Sequence, residues 1–255
     1  VKSKMWEYKY KAEDPNFPEI PKITPGESQP DSERVSSFVY PGGILAVHSQ
    51  GRGKEAIWTA LKNKNVYGTS GPKILLWFDL LNSPEGKVPM GSKITMSQNP
   101  RFIVRAAGSF KQNEGCAHES IDSLSAERLE YLCAGECYNP TNEREIIEKI
   151  EVVKITPQNY EGEAISPLIQ DPWKTIQCPM EGKCIAEFED QNFSRDSVYY
   201  VRAIQKPTLA INGSPLSQRE NFELCKGSFR TDLEDNCLSM TGERAWSSPI
   251  YVDKP

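Results

Sequence analysis

The chain has 255 residues, a formal net charge of -5 and a pI near 5.3, which speaks against a binder of nucleic-acid backbones, whose footprint is a basic stripe. Hydrophobic residues make up 38% and charged residues 25%, enough for a core in one large domain or two modest ones. No run of about 18 apolar residues occurs, which excludes a transmembrane helix, and 19 prolines with 17 glycines favour strands and loops over a helical bundle.

Residues 1–35 are polar, acidic and punctuated by proline. They sustain no period and read as an extended arm or linker, with Met5, Trp6, Tyr8 and Tyr10 as a docking segment. The charged residues after Val1 form no signal peptide, and both a mature secreted chain and a fragment of a longer protein fit such a start.

Residues 36–82 are the most patterned. Ile44 to His48 reads as a short strand, and Ser49 to Gly53 as a cap residue with two glycines. Lys54 to Lys64 has helical spacing, with Ala56, Ile57, Ala60 and Leu61 on one face. Gly68 to Pro72 is a tight turn, and Ile74 to Leu81 is an apolar run suited to a buried strand. A helix between two strands fits a parallel, right-handed βαβ-like pair.

Residues 83–255 read as a β-rich region. Lys93–Ser97 and Arg101–Phe110 look like a hairpin, with Ile103, Arg105, Ala107 and Ser109 on one face and Phe102, Val104, Ala106 and Phe110 on the other. Ser123 to Tyr131 reads as a short helix capped by Ser123, with Leu124, Leu129 and Leu132 facing inward. Strands are expected over Ile146–Thr156, Lys174–Cys178, Lys183–Phe188, Ser197–Gln205 and Trp246–Val252. The expected fold class is therefore α/β in front and an antiparallel β-sandwich-like region behind.

Seven cysteines fall between Cys116 and Cys237. Cys178 with Cys184 and Cys225 with Cys237 suggest local pairs. Cys116, Cys133 and Cys137 remain, and an odd count leaves at least one thiol over. Close pairs in loops favour an oxidising compartment, so the chain is expected to be secreted or periplasmic.

His48 ends a predicted strand, where ligand sites of α/β structures gather. It could bind a metal or move a proton, or simply hold the turn through a backbone hydrogen bond. Ser49 to Lys54 could cradle an anion: Gly51 and Gly53 let backbone N–H groups approach, and Arg52 adds a donor. It is not a Walker loop, and an ordinary helix start is the simpler reading. Thr69 and Ser70 carry hydroxyls between glycines, although no base accompanies Ser70, so a plain turn is the simpler reading there too. Cys116, His118, Cys133 and Cys137 have zinc-ligand chemistry without a standard spacing, and a disulfide plus a thiol is simpler. Asp190 reads as a solvated charge. Asp79 lies inside an apolar run and must be paired to be tolerated.

The stretches PGGILAVHSQGRGKEAIWTALKNKNVYGTSGPKILLWFDLLN, PRFIVRAAGSF, LEYLCAGECYNPTNEREIIEKIEVVKITPQ, RDSVYYVRAIQ and ERAWSSPIYVD, in this order, resemble the C-terminal part of a bacterial family known as domain of unknown function 3604. That family is related to the PHP (polymerase and histidinol phosphatase) metal-dependent phosphoesterases. The resemblance implies a distorted β/α barrel that uses divalent ions such as zinc, manganese or iron. Its ligands are expected in His-x-His and Ser-Asp-x-His segments, and neither occurs here: the two histidines are His48 and His118. The ligand set therefore does not transfer.

What the resemblance implies is the C-terminal portion or subunit of a metal-dependent hydrolase acting on a small-molecule substrate. Residues 36–82 would close the barrel. His48 and Arg52 would border the site as catalytic candidates, with Gly51, Gly53, Thr69 and Ser70 as anion binders. An apolar face at Ile44, Val47, Leu75 and Trp77 would meet the N-terminal portion or a companion chain. The alternative is a secreted β-sandwich module for binding or structure, with Trp173, Tyr199, Tyr200 and Trp246 as a surface platform or as core.

Overall fold

The computed structural model describes residues 42–133, 137–211 and 238–255. The arm expected over 1–35 and the pair expected between Cys225 and Cys237 lie outside the described residues.

Among these residues the chain is mostly β-sheet. The centre of an eight-stranded sheet is the strand Ser197–Gln205, whose sequence SVYYVRAIQ alternates buried and half-buried positions along its whole length, as a strand with one face on a core must. Numbered in chain order it is β12. Antiparallel to it runs β9 (Ile147–Ile155), followed by β10 (Ile169–Gln177). On its other side β15 (Arg244–Ser247) covers one half and β16 (Ile250–Asp253) the other. From β15 the sheet continues to β2 (Val66–Thr69) and the edge strand β1 (Ile44–Val47). From β16 it continues to β5 (Lys93–Thr95), a parallel pair.

The second sheet has the order β11 (Lys183–Glu189), β6 (Arg101–Ala107), β3 (Leu75–Ser83), β4 (Gly86–Pro89) and is antiparallel throughout. Its inner residues Leu76, Phe78, Leu80, Phe102, Val104 and Phe188 share one core with Tyr199, Val201, Val152 and Ile250 of the first sheet. Rings form the centre of the contact. Phe78, Phe102 and Phe188 stack on one another, and Phe102 meets Tyr199 of the facing sheet at 4.8 Å between centroids. This is the expected β-sandwich-like arrangement. Trp173 packs against the same core and Tyr199 lies inside it, while Tyr200 and Trp246 are half-buried.

The opening unit differs from the expected parallel βαβ pair. The helix α1 (Lys54–Lys62) does connect two strands, but β1 and β2 are antiparallel neighbours, Ile44 opposite Thr69 and Val47 opposite Val66. Val66–Thr69 is itself a strand, with Tyr67 and Thr69 buried; Gly68 in its middle made the stretch look like a turn. Strand β3, expected to close the pair, belongs to the other sheet. Nor do β5 and β6 form the expected hairpin: β5 joins β16, and β6 lies between β3 and β11. Of the two faces read in β6, the one with Phe102, Val104 and Ala106 is buried, while Phe110 beyond the strand is exposed.

An arm leaves the body between β6 and β9. It consists of β7 (Phe110–Glu114), α2 (His118–Ser123), α3 (Ala126–Cys133) and β8 (Tyr138–Arg144), with β7 and β8 paired. Every residue of β7 is exposed, as are Ile121, Leu124, Tyr131 and Leu132. The leucines expected to face inward at 124 and 132 therefore have no core beneath them, and Ser125 rather than Ser123 bonds the start of the helix, through Arg128 N–H at 3.2 Å. At the arm's base a Cβ on Gly108 would lie 1.9 Å from the Glu145 carbonyl oxygen, so only glycine fits there. A short ribbon of β13 (Thr208–Ile211) and β14 (Leu238–Thr241) completes the described strands.

Two tests follow from this packing. Phe102→Ala removes the ring shared by both sheets and is expected to cost about 3–5 kcal/mol, read as a lower urea midpoint at unchanged slope. In the loop after β9, Glu163 takes a two-pronged bond from Arg195, 2.8 and 3.0 Å, and an amide from Asn159. These hold its carboxyl at about 2, below the usual 4.5. A depressed carboxyl stabilises the fold above its unfolded-state value and loses that contribution as pH falls toward 2. Glu163→Gln should flatten the loss of stability across that acid window, measured by thermal unfolding against pH.

Candidate functional site

His48 follows β1 and bridges the two sheets. Its backbone N–H donates to Asn65 O at 2.8 Å, and its ring Nε2 meets Leu76 O at 2.8 Å, a donor role that requires the proton on Nε2. Strand β4 pairs with β3 only from Asp79 onward. Two residues beyond Leu76, Phe78 O is met by Met90 N–H at 2.7 Å. The imidazole thus continues the edge ladder of β3 where no strand reaches, with its ring between Tyr67 at 5.2 Å and Trp77 at 5.7 Å. This is the backbone-holding role weighed from the sequence.

The predicted anion cradle divides in two. Ser49 Oγ donates to Gly51 O at 2.7 Å, so this loop closes on itself. Gly53 starts α1 in an extended conformation without a side-chain cap, and Gly51, Arg52 and Gly53 are exposed. Thr69 and Ser70 lie at the opposite end of the β1–β2 ladder, since Thr69 faces Ile44 while Val66 faces Val47, about 10 Å of strand away. Thr69 Oγ1 accepts from Gly71 N–H at 3.2 Å. Ser70 Oγ donates to the Glu243 carboxylate and accepts Arg244 N–H at 2.9 Å. These hydroxyls are engaged in fastening the turn to β15.

A second polar group went unread in the sequence. On the outer face of β3 and β6, Asp79 receives Lys87 Nζ at 2.8 Å and Arg105 at 3.1 Å. Arg105 lies over the Trp77 ring at 5.7 Å. His48, Trp77, Arg105, Asp79 and Lys87 thus form a continuous strip. The pairing explains how a carboxylate survives in an apolar run. Its signal was the period of two that puts positions 77 and 79 of β3 beside 103 and 105 of β6.

Apolar residues crowd the edge next to this strip. Ile44 is 41% exposed, Leu45 59%, Ile57 37%, Trp58 57% and Leu61 37%, far more than helix and edge-strand residues of this kind keep when a core covers them. Of the helical face of Ala56, Ile57, Ala60 and Leu61, only Ala60 is buried. Of the four residues expected on an open face, Ile44 is exposed, while Val47, Leu75 and Trp77 are half-buried.

The cysteines pair as Cys116–Cys137 and Cys178–Cys184. The second is the local pair read from the sequence. The first takes two members of the zinc set. Among the described residues no group of three or more His, Cys, Asp or Glu is placed to hold a metal, so the side chains described here do not fit the ions that the resemblance implies. No helix among them is long and apolar enough to cross a membrane, and two disulfides suit an oxidising compartment.

Between the sheets lies a buried polar cluster, and here the reading of Asp190 as a solvated charge is corrected. Asp190 directly follows β11 and is 1% exposed. Its Oδ2 receives Lys154 Nζ and Tyr199 O–H, both at 2.5 Å, and its Oδ1 receives Asn192 N–H at 3.1 Å. Lys154 and Tyr199 stand directly opposite each other on β9 and β12. Burial pushes the Asp190 carboxyl up, but the bonds from Lys154 and Tyr199 outweigh it and hold it below the usual carboxylate range. Burial and the Asp190 charge push the Tyr199 phenol up.

Residues 6–114 match the family model described as Protein of unknown function (DUF3604). The match spans 109 of the 255 residues, under half of the chain, and is a likeness of that part to DUF3604. No curated protein and no solved structure matched the chain. The DUF3604 match takes in β1 to β7, hence the His48 loop, the Ser70 turn and the Trp77–Arg105–Asp79 strip, and ends before Cys116.

His48→Ala strands the Leu76 carbonyl and is expected to cost about 1–3 kcal/mol. Urea denaturation monitored by tryptophan fluorescence measures it, and an unchanged midpoint would remove the bridging role.

Proposed function

We propose that this chain is the C-terminal portion of a metal-dependent, phosphoester-cleaving hydrolase of the PHP-like kind, whose metal ligands belong to a companion portion. The observation that carries the reading is the exposed apolar face of Ile44, Leu45, Ile57, Trp58 and Leu61. It is formed by the edge strand β1 and the helix α1, beside His48, inside the segment matched to DUF3604. In this reading the edge formed by β1 and α1 packs against the companion's barrel. Docking on that face brings the His48–Gly53 loop to the rim of a shared site. There Arg52 and the Gly51 and Gly53 amides would take an anionic substrate group. His48, anchored to Leu76, would form the wall and orient it. Thr69 and Ser70 would remain structural at the far end of the ladder.

The test is co-expression with a companion portion bearing His-x-His and Ser-Asp-x-His segments. The two portions should co-purify and hydrolyse p-nitrophenyl phosphate with added Mn2+, and neither should do so alone. Leu45→Asp with Trp58→Asp should abolish co-purification. Arg52→Ala should raise KM by roughly tenfold, the loss of one charge-assisted contact. Two tightly bound metal ions in the isolated chain would overturn the assignment of the ligands to the companion.

A further inference from the structure

The buried cluster holds an amine, a carboxylate and a phenol in one water-poor space. Lys154 is 8% exposed, Asp190 1% and Tyr199 0%. The walls are aromatic: Lys154 Nζ lies 5.4 Å from the Trp173 ring centre and 5.9 Å from that of Tyr199, and Trp173 meets Phe188 edge-on at 6.3 Å. A Nζ–Oδ2 separation of 2.5 Å puts the amine within one further C–O bond of the carboxyl carbon, the range of about 3–4 Å from which attack can begin.

We propose that Lys154 and Asp190 are a covalent modification site, at which the two side chains condense to an intramolecular amide joining the two sheets. The chemistry balances without an oxidant, a reductant or a co-reactant. A proton passes from the Lys154 ammonium to Asp190 Oδ2, giving a neutral amine and a neutral acid. The Nζ lone pair attacks Cγ, and the Nζ–Cγ bond forms. Charge that develops on Oδ1 is met by Asn192 N–H, already 3.1 Å away. The Cγ–Oδ2 bond then breaks. Oδ2 leaves as water, taking a second proton from Nζ, with the Tyr199 hydroxyl bonded to it as it departs. One ammonium and one carboxylate thus become one amide and one water.

Two features favour this product over a permanent ion pair. Desolvating two charges is costly, whereas a neutral amide removes both. Each molecule needs to react only once, so a minor neutral population suffices, and the dry surroundings oppose the reverse hydrolysis. The strands hold the reactants without help from any ligand: Lys154 faces Tyr199 in register, and the Asp190 backbone is tied to Pro100 O at 3.1 Å.

The experiment is the intact mass of the full chain, fully reduced, alkylated and denatured, followed by peptide mapping. The expected mass is one water below that of the sequence, with the peptide containing Lys154 joined to the peptide containing Asp190. Lys154→Arg should restore the full mass, and Asp190→Asn should lose ammonia in place of water. The full sequence mass with separate peptides overturns the proposal. So does a water loss that persists in Lys154→Arg, which would mark a cyclised aspartate instead. The wild-type measurement decides the matter even if a variant fails to fold.

Discussion

Taking the Asp190 carboxylate out of water costs several kcal/mol unless its oxygens are fully served, and the strands around it are arranged to serve them. Lys154 and Tyr199 are placed by the β9–β12 register, and Asn192 by the turn that follows β11. Slipping either strand by one residue would turn its side chain to the opposite face and take it from the carboxylate. The same Tyr199 ring meets Phe102 of the other sheet, so the polar contact and the aromatic core constrain each other. The sandwich is thus locked at one point by chemistry that tolerates no other pairing, and its remaining layers align around that point.

Away from this lock the molecule loosens toward the edge formed by β1 and α1. His48 substitutes one side-chain hydrogen bond for a missing strand, which joins the sheets without closing the edge. The apolar residues outside it stay exposed. An edge kept in register by a side chain, and not by further strands, is one that another chain can complete. A sandwich closed around its own core, with one apolar border at β1 and α1, is what the proposed docking requires.

Much of the sandwich was legible in the sequence because its strands carry a clean period of two: SVYYVRAIQ and the Phe102, Val104, Ala106 face fold as read. The Cys178–Cys184 bridge was legible because the two lie only six positions apart. Partners distant in sequence were not. Asp190 looked solvated because its acceptors are filled by residues of other strands. Gly68 concealed a strand, and with it the antiparallel order of the opening unit. The site residues were individually visible, but the register that carries Ser70 away from Gly51 exists only in three dimensions. Asp79 was flagged by its apolar neighbours, whereas Arg105 and Lys87 looked like ordinary surface charges until the sheet brought them to it.

The crossing at Gly108 has a further consequence. The arm's two strands leave the sandwich through a gap that excludes even a methyl group at this position, because the Glu145 carbonyl fills it. Beyond that gap β7 is exposed along its whole length, and the arm is closed on itself by the Cys116–Cys137 bridge. The gap therefore works as a fixed socket, and what is mounted in it is decoupled from the body's stability. A side chain at that position would push the arm's two strands apart, which makes a single glycine the point at which the arm is held to the frame.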